Sequence, residues 1–149
     1  MEILLDILKH LHSSLRWVFL LAMIFAIVNA IRKWKSGEKF GAKDKLLNIL
    51  TIALTHTMGV IGVVLLFISP KVQFTEGFMK NDQIRFYLTQ HTFGMVLAII
   101  LITIGYSKAK KAADDKAKFK KTAVWFTISL LIVLISIPWP FWRVGGELY

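Results

Sequence analysis

Four long apolar stretches constrain the fold of this chain more than any other feature. They cover residues 15–31, 46–69, 86–106 and 122–142, and each approaches or exceeds the roughly 20 apolar residues that a helix needs to cross a bilayer. Alternating strands of about ten residues, as in a membrane β-barrel, do not occur. The connections are short and leave no room for a second, soluble domain in 149 residues. The sequence therefore predicts an all-α membrane protein, in which residues 1–149 form one four-helix transmembrane up-down bundle.

The first twelve residues have an amphipathic pattern of their own. Ile3, Ile7 and Leu11 share one helical face, and charged residues point away from it. This pattern is typical of a helix that lies at the membrane interface. One straight helix through this segment and the first span would be about 50 Å long, whereas the hydrocarbon core is about 30 Å thick. We therefore expect either a bend near Ser13 and Ser14 or a helix that projects outward.

The net charge of +10 is concentrated in two of the connections. Most of the 19 lysines and arginines lie at 32–45 and 108–121, directly after the first and third spans. These segments lie on the same side of the membrane, which the positive-inside rule assigns to the cytoplasm. Both termini and the segment 70–85 are then outside. No nucleic-acid-binding motif accompanies the charge, so we expect membrane lipid as the partner of these segments, and no nucleic acid.

The strongest local pattern is a His-Thr-x-Gly tetrapeptide that occurs in both the second and the third span. It begins at His56 and ends at Gly59, and it begins again at His91 and ends at Gly94, so each imidazole shares a helical face with a glycine. Gly62 extends the smooth face in the second span. The chain has no cysteine, and axial histidines are among the few ways such a chain can hold haem. We predict that the two histidines ligate a haem iron and that the three glycines make room for the macrocycle.

A second polar group lies at the outer end of the first span. His12 and Arg16 are four residues apart and share a helical face, with His10 close by. Such a group could hold haem propionates, an anionic headgroup or a quinone carbonyl. Arg16 or Arg85 is predicted to pair with propionates, and His12 is a third candidate ligand. The structural alternative is a snorkelling arginine beside solvated histidines.

Other interpretations of the histidines stay open. A His-x-x-Gly pair also arises where a buried, hydrogen-bonded imidazole lies beside a tight helix crossing. Met58 and Met95 near the histidines would suit copper, and a proton path is a further alternative. No metalloprotease, nucleophile-elbow or phosphate-loop motif occurs, and no acidic residue lies inside a predicted span, so no catalytic residue is predicted. We expect an electron carrier or a subunit rather than a stand-alone enzyme.

Short motifs spread over nearly the whole chain carry a resemblance. They are His12–Trp17, Thr55–His56, Ser69–Pro70 with Gln73–Phe74, Arg85–Phe86 leading to His91, Ile102–Gly105 with Ser107, and Ile137–Pro140. They resemble a family of small, functionally uncharacterised four-helix bacterial inner-membrane proteins that are often labelled cytochrome b-like. The resemblance implies haem ligation by His12, His56 and His91. Family members commonly have an acidic residue before the third histidine, where this chain has Gln90, and this departure argues against a proton or cation role at His91.

The sequence thus predicts an integral membrane protein of the bacterial inner membrane with both termini in the periplasm. It would bind haem b between two histidines and pass electrons to a redox partner. The alternative is a haem-free accessory subunit of a larger membrane complex. That subunit would pack through its small-residue faces, its basic cytoplasmic segments and its N-terminal helix.

Overall fold

Four long helices dominate the computed structural model, which describes residues 2–70, 72 and 76–142. They are α1 (Glu2–Ser36), α2 (Ala42–Ile68), α3 (Asp82–Lys110) and α4 (Asp115–Ser136), and a short 3-10 turn, Phe78–Lys80, precedes α3. All four helices are long and apolar enough to cross a membrane, and the described residues contain no β-strand. This confirms the prediction of an all-α chain with four apolar helices.

Polar residues at the start of three helices explain where these helices begin. The backbone N–H of Gly41 donates to the Asp44 carboxylate (2.9 Å) in the first turn of α2. The Asn81 side chain accepts from two backbone N–H groups of α3, and the Asp114 side chain accepts from the backbone N–H of Ala117 in α4 (2.7 Å). Each acceptor satisfies a backbone donor that has no partner inside its helix, which fixes the first turn.

The fourth helix is displaced along the sequence from the predicted span 122–142. It begins earlier, at Asp115, and ends at Ser136. The early end follows from Pro138 and Pro140, because proline lacks a backbone N–H and disfavours helical geometry in the residue before it. Residues 137–142, which the predicted span included, therefore lie beyond the end of the helix.

The first helix runs without interruption from Glu2 to Ser36, so of the two predicted alternatives the bend near Ser13 and Ser14 is absent and the helix is continuous. At 1.5 Å per residue the helix is about 50 Å long. Ile3 and Ile7 are 79% and 56% exposed, which means that the rest of the described chain does not cover the apolar face of the first turns. The amphipathic segment is thus the beginning of α1 and not a separate helix.

Packing among the helices is uneven. The first helix packs against α2 and α4, and α3 packs mainly against α4, whereas the contact between α2 and α3 is slight. The core between the helices includes Met23, Ile102 and Phe126, which are almost fully buried. The weak contact between α2 and α3 leaves the space that forms the candidate site.

A network of polar residues joins α1 to the start of α2. The carboxylate of Asp44 is 4% exposed and accepts from Asn29 Nδ2 (2.7 Å) and from Lys33 Nζ (2.9 Å), in addition to its bond with Gly41. A buried ion pair is tolerated when further hydrogen bonds satisfy the charges, as they do here. This carboxylate, which the sequence suggested to be a loop residue, holds α1 and α2 together.

The two basic connections lie together at one end of the helices, which we call the loop end. The rings of Phe40 and Phe119 are 5.2 Å apart, and Asn48 Nδ2 donates to Thr122 Oγ1 (3.2 Å). These contacts bring the connection between α1 and α2 close to the start of α4. The histidines of the candidate site lie toward the opposite end.

Candidate functional site

A cavity of about 240 Å³ lies among the four helices, away from the loop end. Most of its lining is apolar, including Met58 and Met95. The lining also contains polar side chains, and they include Lys9, His12, Arg16, Tyr87 and His91. Apolar walls with a few convergent polar groups are typical of sites for small molecules and cofactors.

The position of His91 depends on a π-helical segment, Phe86–His91, inside α3. The backbone N–H of Thr92 donates to the carbonyl oxygen of Tyr87, five residues earlier in the chain, and the Thr92 hydroxyl donates to the same oxygen (2.7 Å). Such wide turns accommodate an extra residue in a helix and are frequent at functional sites. Here the wide turn ends at His91, whose side chain lines the cavity.

A backbone carbonyl determines which ring nitrogen of His91 carries the hydrogen. Its Nδ1 lies 2.9 Å from the carbonyl oxygen of Ser136, at the end of α4. Because a carbonyl oxygen only accepts, Nδ1 of the ring is the donor. In the neutral imidazole Nε2 then keeps its lone pair, so it can bind a metal or accept a proton.

The second imidazole at the cavity belongs to His12 on α1. The ring centroids of His12 and His91 are 6.5 Å apart, and their planes meet at 75°. The Nδ1 atom of His12 is buried, and it has no hydrogen-bond partner among the described residues. Gly62 lies beside this ring, because a Cβ at that position would be 3.5 Å from Cε1 of His12.

The two arginines that were predicted to pair with propionates occupy different places. Arg16 lines the cavity, and its Cζ lies 5.3 Å from the ring centroid of Trp17. Arg85 is outside the cavity lining, where its guanidinium contacts Asp82 (2.7 Å) and the carbonyl oxygen of Met79 (3.0 Å). The structure therefore brings one of the two guanidinium groups to the histidines. His10 also lies outside the lining and is exposed.

His56 lies apart from the other two candidate ligands. Its side chain is exposed and does not line the cavity, and its Nε2 is 3.2 Å from Oγ1 of Thr103 on α3. The Thr103 hydroxyl donates to the carbonyl oxygen of Ile99 (2.6 Å), so the imidazole N–H donates to Thr103. The structure brings His12 and His91 together, whereas the repeated tetrapeptide had paired His56 with His91.

Side chains occupy the space beside the predicted glycines. A Cβ at Gly59 would be 2.8 Å from Cδ1 of Ile99, and a Cβ at Gly94 would overlap the Ser136 side chain. Gly59 and Gly62 line the cavity, whereas Gly94 does not. Each of the three thus lies at a contact between helices, and their role beside a macrocycle stays a prediction.

A lateral opening connects the cavity with the surface between α2 and α3. Val63 and Val96 line the cavity and are also 54% and 47% exposed. They lie on the two helices that make only slight contact with each other. A ligand could therefore enter from the side, between two apolar helices.

Comparison of the chain with family models, with curated proteins and with solved structures gives no significant match. The chemistry of the site follows from its own side chains, which include two imidazoles, a guanidinium, an ammonium group and a phenol beside an apolar cavity. The described residues contain no group of three or more histidine, cysteine or acidic side chains placed to hold a metal ion.

Proposed function

We propose that this chain is an integral membrane protein that binds a b-type haem in its cavity and passes electrons to a partner. The main support for this proposal is that His12 and His91 line the same cavity, with their ring centroids 6.5 Å apart. Metal–imidazole bonds are about 2 Å long, so two rings at this separation are close enough for both to bind one metal ion. When bound, haem would supply reversible one-electron chemistry.

The polar groups of the cavity fit the needs of a haem. A metal-bound imidazole usually donates its other N–H to a carbonyl or carboxylate, and His91 donates to Ser136 in this way. His12 has a buried ring nitrogen without a partner among the described residues. Arg16 supplies a guanidinium that could pair with a propionate. We therefore propose His12 and His91 as the ligand pair and leave His56 outside the site.

The size of the cavity sets a condition on haem binding. Sites for drug-sized ligands measure about 300–1,000 Å³, and the cavity measures about 240 Å³. A macrocycle thus requires α2 and α3 to separate. Their contact is slight, and Val63 and Val96 are exposed at the opening, so we propose that the helices part there.

The proposal includes an antiparallel four-helix bundle in a bacterial inner membrane with both termini outside. The contacts at the loop end support the antiparallel arrangement, because they bring the two basic connections together. The excess of lysine and arginine in these connections supports a cytoplasmic position. The inner membrane and the membership of a cytochrome b-like family are proposed from the sequence resemblance alone.

Haem titration of the purified protein in detergent tests the ligand pair. We expect His12→Ala and His91→Ala each to weaken haem binding at least about tenfold and to abolish the low-spin spectrum, because each would remove one of the two proposed iron ligands. His56→Ala is the matched control and should bind haem like the unaltered protein. Loss of binding in His56→Ala with retention in His12→Ala would instead assign the pair predicted from the tetrapeptides. Circular dichroism of each variant verifies that the helices are intact.

A second candidate function, a haem-free subunit of a larger membrane complex, is favoured by the position of His56. Its exposed imidazole and Thr103 form a polar pair on the outside of two apolar helices. Polar groups that face lipid are costly, and a neighbouring subunit would cover them. Purification in a mild detergent distinguishes the two functions, since a subunit should retain a stoichiometric partner that His56→Leu releases.

A further inference from the structure

A surface groove of about 430 Å³, separate from the cavity, lies between α3 and α4 at the loop end. Its lining consists of Thr103, Ile104, Ser107, Lys108, Lys111 and Lys121. We infer that this groove binds the phosphate of an anionic phospholipid headgroup. The inference concerns a different face of the molecule from the cavity and does not depend on haem.

The positive charge of the groove is not neutralised by the acids nearby. Within the described part of the chain, none of the three lysines of the groove forms an ion pair with a carboxylate. Asp114 instead caps α4 through the backbone N–H of Ala117, and Asp115 pairs with Lys118 at 2.9 Å. Three ammonium groups therefore remain to attract an anion.

The groove combines this charge with features of a membrane boundary. The Nζ atom of Lys108 lies 5.8 Å from the ring centroid of Trp125, and tryptophan is enriched at headgroup level. Ser107 is exposed and adds a hydroxyl donor. Ile104 is 38% exposed and continues the groove along the apolar part of α3, where an acyl chain could pack.

The mixture of charged and apolar lining favours a lipid over a free anion. A soluble phosphate would use only the lysines and the hydroxyl groups, whereas a phospholipid would also cover Ile104. Basic pockets between transmembrane helices on the cytoplasmic side are known to bind anionic headgroups. The groove has this position if the loop end is cytoplasmic, as the charge distribution predicts.

Native mass spectrometry of the full-length protein in detergent tests the inference, with phosphatidylglycerol as the probe and phosphatidylcholine as the uncharged comparison. A variant that combines Lys108→Gln, Lys111→Gln and Lys121→Gln removes the charge of the groove. We expect it to bind phosphatidylglycerol at least about tenfold more weakly, because each lysine near a membrane surface contributes measurably to the attraction of anionic lipid. Binding of phosphatidylcholine should be weak and unchanged.

The control variant combines Lys35→Gln, Lys110→Gln and Lys116→Gln, which removes equal charge from exposed positions outside the groove. It should keep most of the affinity for phosphatidylglycerol. An equal loss in both variants would overturn the site, since the attraction would then be diffuse. Displacement of the lipid by inorganic phosphate at equal concentration would also overturn it, because the groove would then be a free-phosphate site.

Discussion

Gly94 and His91 lie one turn apart on α3, and both contact the same residue of α4. A Cβ at Gly94 would overlap the side chain of Ser136, while His91 Nδ1 donates to the Ser136 carbonyl oxygen. The missing side chain lets the two backbones approach closely enough for this hydrogen bond to form. The close contact between α3 and α4 beside the cavity thus depends on the absence of a side chain at Gly94.

Gly94→Ala should destabilise the protein. We expect a loss of about 1–3 kcal/mol, because the added methyl group overpacks a closed contact even though alanine is the better helix former. The midpoint of thermal unfolding in detergent measures this loss. Gly62→Ala is the control, since this glycine also lies inside a helix and a Cβ there would be at an ordinary contact distance of 3.5 Å from Cε1 of His12. An unchanged midpoint in Gly94→Ala would show that the glycine is not needed for the helix contact.

The sequence identified the three candidate ligands but not which two of them share a site. His56 and His91 have matching neighbours, yet His56 lies on an exposed face. In a membrane helix both lipid and the core are apolar, so hydrophobic periodicity does not reveal which face is buried. The burial of Asp44 was also not predicted, because its partners Asn29 and Lys33 are distant in the chain.

Several helix boundaries of this fold coincide with local sequence signals. Asn81 and Asp114 precede helices, and Pro138 follows one, as expected from capping and from the missing N–H of proline. The π-helical segment Phe86–His91 was not predicted, since no residue type specifies bonds to the fifth preceding residue. The continuity of α1 was also undecided, because a bend and a projecting helix fit the same residues.

Ser14→Pro tests whether α1 is continuous at the level of His12. Ser14 is exposed and lies in the middle of an unbroken helix, so proline there should remove a backbone hydrogen bond and cost about 3 kcal/mol. Thermal unfolding of this variant is compared with that of Ser14→Ala, which should be neutral. If proline were tolerated as well as alanine, the helix would have the bend that the sequence allowed.

At the scale of the whole molecule, the two ends of the helices differ in chemistry. The loop end carries the basic connections and the buried Asp44 network, and the opposite part carries the cavity with its histidines. The four helices were predictable from their apolar lengths. Their unequal packing was not predictable, because the slight contact between α2 and α3 depends on side-chain shapes along both helices. That unequal packing creates the cavity and its opening.

Cysteine labelling tests the orientation of the molecule, and the absence of native cysteine makes the labels unambiguous. We expect an impermeant thiol reagent to label Glu2→Cys in intact cells, because the N-terminus is proposed to be outside. Glu38→Cys, in the first basic connection, should react only after lysis. The reverse pattern would contradict the orientation without affecting the fold.

The cavity is proposed to hold a haem between His12 and His91. The measurement that tests it most directly is the reduced-minus-oxidised visible spectrum of the full-length protein, purified in detergent after expression with haem supplied. We expect sharp bands of low-spin haem, with a single haem per chain. A colourless protein that is folded and monodisperse would contradict the claim and would favour the haem-free subunit.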